Sequence, residues 1–137
     1  MALPNGAGGY QLGDGNLNEP FIELLPAPVE VTATATLTAA QVLNGLILAN
    51  SGVSTAQTYT LPTVALLETT LVNSDRVGTS FSFRLVNLGT GSGTAIIAAG
   101  TGWTITGSLT MTIPVTTGAF FIARKTGDGA YTLYRAT

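Results

Sequence analysis

The chain has 137 residues, enough for one domain around one core. Only 9% are charged against 45% hydrophobic, with Thr, Ser, Gly and Asn making up the difference, so its surface can be covered by a partner without the cost of desolvating ions. A net charge of -2 with only five Lys and Arg leaves no basic surface for a row of phosphates, which argues against a nucleic-acid partner. The best apolar run, Val42 to Ala49, is interrupted by Asn44 and Gly45 and falls far short of the roughly 20 residues of a spanning helix, which argues against a membrane partner. Met1 to Gly9 has neither a basic residue nor an apolar core, so no secretory signal is expected there.

Residues 1–30 differ in composition from the rest. Five Gly and four Pro break any helical or strand period, and the charges Asp14, Glu19, Glu23 and Glu30 meet no basic residue. Apolar Leu3, Tyr10, Leu12, Leu17, Phe21, Ile22, Leu24 and Leu25 recur more often than a solvating linker would allow. This segment is read as an extended N-terminal arm that orders on a neighbour, with Leu3, Tyr10, Leu12, Asp14, Leu17, Glu19, Phe21, Ile22 and Glu23 as its candidate contact residues. Asp14-Gly-Asn16-Leu-Asn18 copies the start of a calcium loop, but Glu19 stands at the obligatory Gly and Leu25 at the bidentate Glu, so an Asx-rich turn is the better reading.

Residues 31–137 form the expected β domain, with Glu68, Asp75 and Asp128 against Arg76, Arg84, Arg124, Lys125 and Arg135. Val31 to Thr38 alternates apolar residues with Thr, the period of a half-buried strand. Thr38-Ala-Ala-Gln41 fits a capping box before a short helix stopped by Asn44-Gly45. Strands are expected at Leu46 to Ala49 and Thr58 to Leu61. Pro62 to Asn73 reads as a helix whose Val64, Leu67 and Leu71 share a face, covering one open end of the core.

Further strands are expected around Phe81 to Leu85, Thr94 to Ala99, Trp103 to Thr106, Leu109 to Ile113, Ala119 to Lys125 and Ala130 to Arg135. The last two are joined by a hairpin at Asp128-Gly129. Phe120, Phe121, Ile122 and Ala123 are apolar at successive positions, so that strand is either central or exposed to a second subunit, and Phe120, Phe121 and Ile122 are the candidate interface between subunits. Short strands between turn signals predict an all-β fold, an antiparallel β-sandwich or jelly-roll-like barrel with one or two short helices and the arm. No 20- to 50-residue repeat is visible.

With neither His nor Cys, the usual neutral-pH base, the common metal ligand and the thiolate nucleophile are all missing. Neither catalytic nor metal residues are assigned, no cofactor is expected, and the protein reads as a non-enzyme. Glu68 and Asp75 would share a helix face only if the helix reached Asp75, so they read as solvated surface rather than a glycosidase pair. Gly89-Thr90-Gly91-Ser92-Gly93 lacks the third Gly and the Gly-Lys-Ser/Thr of phosphate loops and reads as a connecting loop. Lys125 reads as a charge closing a strand end, with a Schiff-base or salt-bridge lysine as the alternative. Trp103 and Tyr131 read as core, with sugar stacking as the alternative.

Thr60-Leu-Pro-Thr63, Val77-Gly-Thr-Ser-Phe-Ser-Phe83, Val86-Asn-Leu-Gly89, Ala98-Ala-Gly-Thr-Gly-Trp103 and Tyr134-Arg135 together resemble the small β-structured virion proteins of tailed bacteriophages, particularly capsid decoration (cement) proteins. Ala2-Leu-Pro-Asn-Gly-Ala-Gly-Gly-Tyr-Gln-Leu-Gly-Asp-Gly-Asn16 is similar to the leaders of such head proteins. The resemblance implies a homotrimer on the outer surface of the virion capsid, made in the host cytoplasm, with the major capsid protein as partner. It carries no catalytic motif. Alternatives are a phage tail or fibre module, or a carbohydrate-binding module using Trp103, Tyr131 or Tyr134.

Overall fold

The computed structural model describes residues 24–106 and 111–137. The arm positions Leu3, Tyr10, Leu12, Asp14, Leu17, Glu19, Phe21, Ile22 and Glu23, the Asx-rich turn and Leu109 lie outside the described residues. The first strand among the described residues, β1, is Val29–Val31, within the segment read as arm but for its last residue.

The chain then alternates between two sheets. Strands β1, β3 (Leu46–Ala49), β5 (Ser80–Asn87) and β7 (Trp103–Thr106) belong to the first. Strands β2 (Ala35–Thr36), β4 (Gln57–Thr60), β6 (Ala95–Ala98) and β8 (Thr112–Ile113) make the second. The closing hairpin, β9 (Gly118–Gly127) and β10 (Ala130–Arg135), enters the first sheet, giving the order β1-β3-β5-β9-β10-β7 beside β2-β4-β6-β8. The protein is therefore mainly β, as the alternation predicts.

The pairing is not the expected antiparallel one. Strand β3 lies parallel to both β1 and β5, β4 lies parallel to both β2 and β6, and β7 lies parallel to β10. Only β5 with β9, β9 with β10, and β6 with β8 are antiparallel. Strands β3 and β5 in the first sheet and β4 and β6 in the second thus each lie alongside the preceding strand of their sheet in the same direction, as in a coil of stacked rungs, whereas β7 joins the far edge beside β10 and β8 runs antiparallel to β6.

The registers expose a repeat invisible in residue identity. Ile47 sits beside Leu85 and Tyr59 beside Ile97, both pairs 38 residues apart, so β3-turn-β4 and β5-turn-β6 superpose as two rungs without an insertion. Inward positions in these rungs require only apolar bulk, which many residue types supply, so geometry repeats while identity does not.

The predicted strand from Val31 to Thr38 is instead a corner. Residues 32–34 break the extended run and pass from β1 in one sheet to β2 in the other. Gln57 Oε1 holds the corner, accepting from the Thr34 amide at 2.7 Å and its hydroxyl at 2.9 Å.

Helix α1 (Ala39–Leu43) has the expected capping box: the Gln41 amide donates to Thr38 Oγ1 at 3.2 Å and the Thr38 amide to Gln41 Oε1 at 2.9 Å. It ends at Gly45, whose φ of +92° suits a residue without a β-carbon. Helix α2 (Val64–Thr70) is shorter than predicted, capped by Thr63, whose hydroxyl accepts from the Leu66 amide at 3.3 Å. Val64 and Leu67 are buried and Leu71 packs against the same core, as the helical spacing requires.

One core joins both sheets and both helices, with Ile47, Leu85, Phe83, Phe121 and Leu133 from the first sheet and Tyr59, Ile97 and Ile113 from the second. Phe83 stacks on Phe121 with centroids 5.1 Å apart. Among the described residues, no helix is long and apolar enough to cross a membrane.

Candidate functional site

Two places collect the residues on which function could rest: a charged pocket beside α2 and the outer face of the six-stranded sheet.

The pocket, about 300 Å³, is lined by Glu68, Leu71, Val72, Ser74, Asp75, Lys125 and Asp128. All three carboxylates that follow residue 31, together with the only lysine, therefore meet at one spot. Their sequence separation concealed this: α2 supplies Glu68, the segment after it Asp75, and the β9–β10 hairpin Lys125 and Asp128. Lys125 does not close a strand end in solvent. Its position on β9 faces inward by strand alternation, its side chain is only 6% exposed, and Nζ donates to Glu68 Oε1. The Tyr131 ring lies 5.9 Å from Nζ.

The salt-bridge alternative is thus the one realised, and Glu68 is correspondingly not simple solvated surface. Hydrogen bonding to the Glu68 carboxylate raises the Lys125 pKa, opposed by burial and assisted by the charges of Glu68, Tyr131 and Asp128. An amine held protonated in this way is a poor nucleophile for Schiff-base chemistry. Among the described residues, no group of three or more acidic side chains has a geometry suited to a metal ion.

The remaining chemical candidates are structural. Gly89 to Gly93 stacks on the preceding rung: a β-carbon at Gly93 would lie 2.2 Å from the Val53 carbonyl oxygen. Asn50 Nδ2 donates to the carbonyls of Gly93 at 2.7 Å and Thr94 at 3.0 Å, and Asn87 Nδ2 to those of Gly93 at 3.0 Å and Ile113 at 2.8 Å. The Tyr59 hydroxyl donates to Asn50 Oδ1 and lies 3.1 Å from the Val31 carbonyl oxygen. These buried amides knit three rungs together, a role the sequence reading did not assign to them. The signal available in the sequence was the turn cluster Asn50-Ser-Gly52, where Asn50 takes a left-handed φ of 57°.

Trp103 and Tyr131 are buried and packed together at 5.5 Å, and Trp103 Nε1 donates to the Pro62 carbonyl at 2.7 Å. Of the three proposed sugar-stacking residues only Tyr134 reaches the surface.

The outer face of the six-stranded sheet is built by alternation. Strand β9 is central, so the apolar run Phe120 to Ala123 divides between two faces. Phe121 is fully buried against Phe83 and is withdrawn from any interface surface. Phe120 and Ile122 point the other way. The register puts Ile122 between Ser82 and Tyr134, and Phe120 beside Arg84, which lies beside Leu46; Leu48 adjoins Val86. The Arg84 guanidinium carbon lies 4.9 Å from the Phe120 ring centroid. Leu46, Leu48, Val86, Phe120, Ile122 and Tyr134 thus form an apolar band across four strands, and none of them belongs to the core cluster. Its charged neighbours are Arg84 and Arg124 within the sheet and Glu30 at its edge.

No protein-family model, curated protein or solved structure matches the chain.

Proposed function

We propose that this protein is a non-enzymatic structural subunit of a tailed-phage virion, which binds the outer surface of the capsid as a homotrimer and links neighbouring major capsid protein subunits. The observation that carries this reading is the apolar band on the outer face of the six-stranded sheet, set on a domain whose buried amides, Asn50 and Asn87, hold its rungs together. A monomer that worked alone would have little use for a band of six apolar side chains across one sheet face. On this reading the two sheets form a sandwich-like trimer body, and Phe120 and Ile122, without Phe121, contribute to its contacts.

The sequence phrases that resemble capsid decoration proteins supply the particle. Three equivalent contacts on one rigid body raise avidity by about 10² to 10⁴ over a single contact, so individually weak capsid contacts suffice. Quantitative mass spectrometry of purified virions tests the assignment. Abundance comparable to that of the major capsid protein supports decoration, whereas a few copies per particle would place the protein at the tail or a fibre.

A further inference from the structure

The arm's chemistry complements that of the outer face. Residues 19–23, Glu-Pro-Phe-Ile-Glu, combine two carboxylates with two large apolar side chains and carry no cation. The face offers an apolar band with Arg84 and Arg124 inside it. The positions also agree. Parallel pairing of Val29 with Ile47 continues downward so that the Asn44 side-chain amide donates to the Ala27 carbonyl at 3.0 Å, and Leu25 packs over Gly45. The chain therefore arrives at a corner of the first sheet, at the end where β3 begins, with Leu24 96% exposed.

The β3–β5 and β5–β9 registers put Ser82 and Ile122 one short step past the start of β3, close to the level of Leu25 along the strand axis. Leu25 already lies over the start of β3, and from β3 to β9 is two strand spacings, about 10 Å at about 4.8 Å each. The stretch from Leu25 back to Ile22 spans about 10 Å when extended.

We propose that residues 19–23 dock across the outer face of the six-stranded sheet, with Phe21 and Ile22 on the band formed by Phe120, Ile122 and Tyr134 and the carboxylates of Glu19 and Glu23 toward Arg84 and Arg124. Docking covers the apolar band and opposes each arginine with a carboxylate on the same surface, so that Phe120 and Ile122 serve the trimer contacts of the proposed function through the docked segment and not as a bare sheet face. It leaves the earlier apolar positions, Leu3 to Leu17, for contacts with other molecules. The inference does not depend on which particle the protein joins.

The chain contains no cysteine, so disulfide trapping in the full-length protein tests this directly. Ile22→Cys is combined either with Ile122→Cys on the proposed face or with Thr58→Cys on the second sheet, and thermal melting confirms that both variants fold. Docking raises the effective concentration at position 122, so oxidation is expected to trap the Ile122→Cys variant about ten-fold faster, within one chain or between two copies. Adding Arg124→Glu, or salt at about 0.5 M, is expected to reduce that preference. Equal trapping at the two positions, or faster trapping at Thr58→Cys, would overturn the proposal.

Discussion

The Lys125 ammonium on β9 is paired with the Glu68 carboxylate on α2, tying that helix to the centre of the six-stranded sheet. Pairing, acting against burial, gives this contact a pH signature. The Lys125 pKa is raised above its ordinary value of 10.5 by the Glu68 hydrogen bond, and that of Tyr59 above 10.0 by burial, opposed by its Asn50 hydrogen bond. For each group the folded state binds its proton more tightly than the unfolded chain, so the stabilisation is complete below the unfolded value and is lost as pH rises through the folded one.

These two groups are therefore expected to leave the melting temperature unchanged from neutral pH to about pH 9.5 and to cause a steady loss of stability above about pH 10. The double variant Glu68→Gln/Lys125→Met is expected to show a shallower alkaline loss in thermal melts from about pH 8 to 12. An unchanged alkaline slope would mean that the pair does not couple folding to pH.

Tyr59→Phe tests the buried amide network. Removing the hydroxyl leaves Asn50 Oδ1 without its donor inside the core, at a cost of about 1–3 kcal/mol. Chemical denaturation should give that loss with an unchanged m-value. A change below a few tenths of a kcal/mol would show that the Asn50 carbonyl finds water instead.

Strand β9 supplies an internal control for which face is core. Phe121→Ala removes a fully buried ring stacked on Phe83 and should cost about 3–5 kcal/mol. Ile122→Ala, one residue on and facing outward, should cost the isolated subunit less than about 1 kcal/mol while weakening self-association. Equal destabilisation of the unassembled subunit by both would contradict the assignment of faces.

These contrasts also mark what could be read from sequence. Local signals were legible because neighbours a few residues apart decide them: the Thr38–Gln41 box, the Gly45 stop, the Val64–Leu67–Leu71 face and the Asp128-Gly129 hairpin all stand as expected, although only Gly129 of that pair takes a positive φ. Strand direction was not legible. Alternation says which side chains face inward but is identical for parallel and antiparallel neighbours, so the stacked rungs were read as an antiparallel sandwich.

The run from Val31 to Thr38 shows the same limit, because apolar residues alternating with threonine also fit a corner whose two arms join different sheets. Long-range meetings were hidden for a related reason. Nothing local in Glu68, Asp75, Lys125 or Asp128 announces that a helix, the segment after it and a hairpin bring them to one pocket. The apolar run at Phe120 to Ala123 was informative but ambiguous, and the structure divides it, with Phe121 in the core and Ile122 outside.

The most direct test of the central claim, that this is a subunit of the capsid surface, is to image particles assembled with and without the protein at a resolution that separates capsid subunits. The account predicts trimeric density on the outer shell at three-fold or quasi-three-fold positions only when the protein is present, and loss of the same density when the protein is removed. A capsid surface identical in both samples, or extra density confined to the tail, would contradict it.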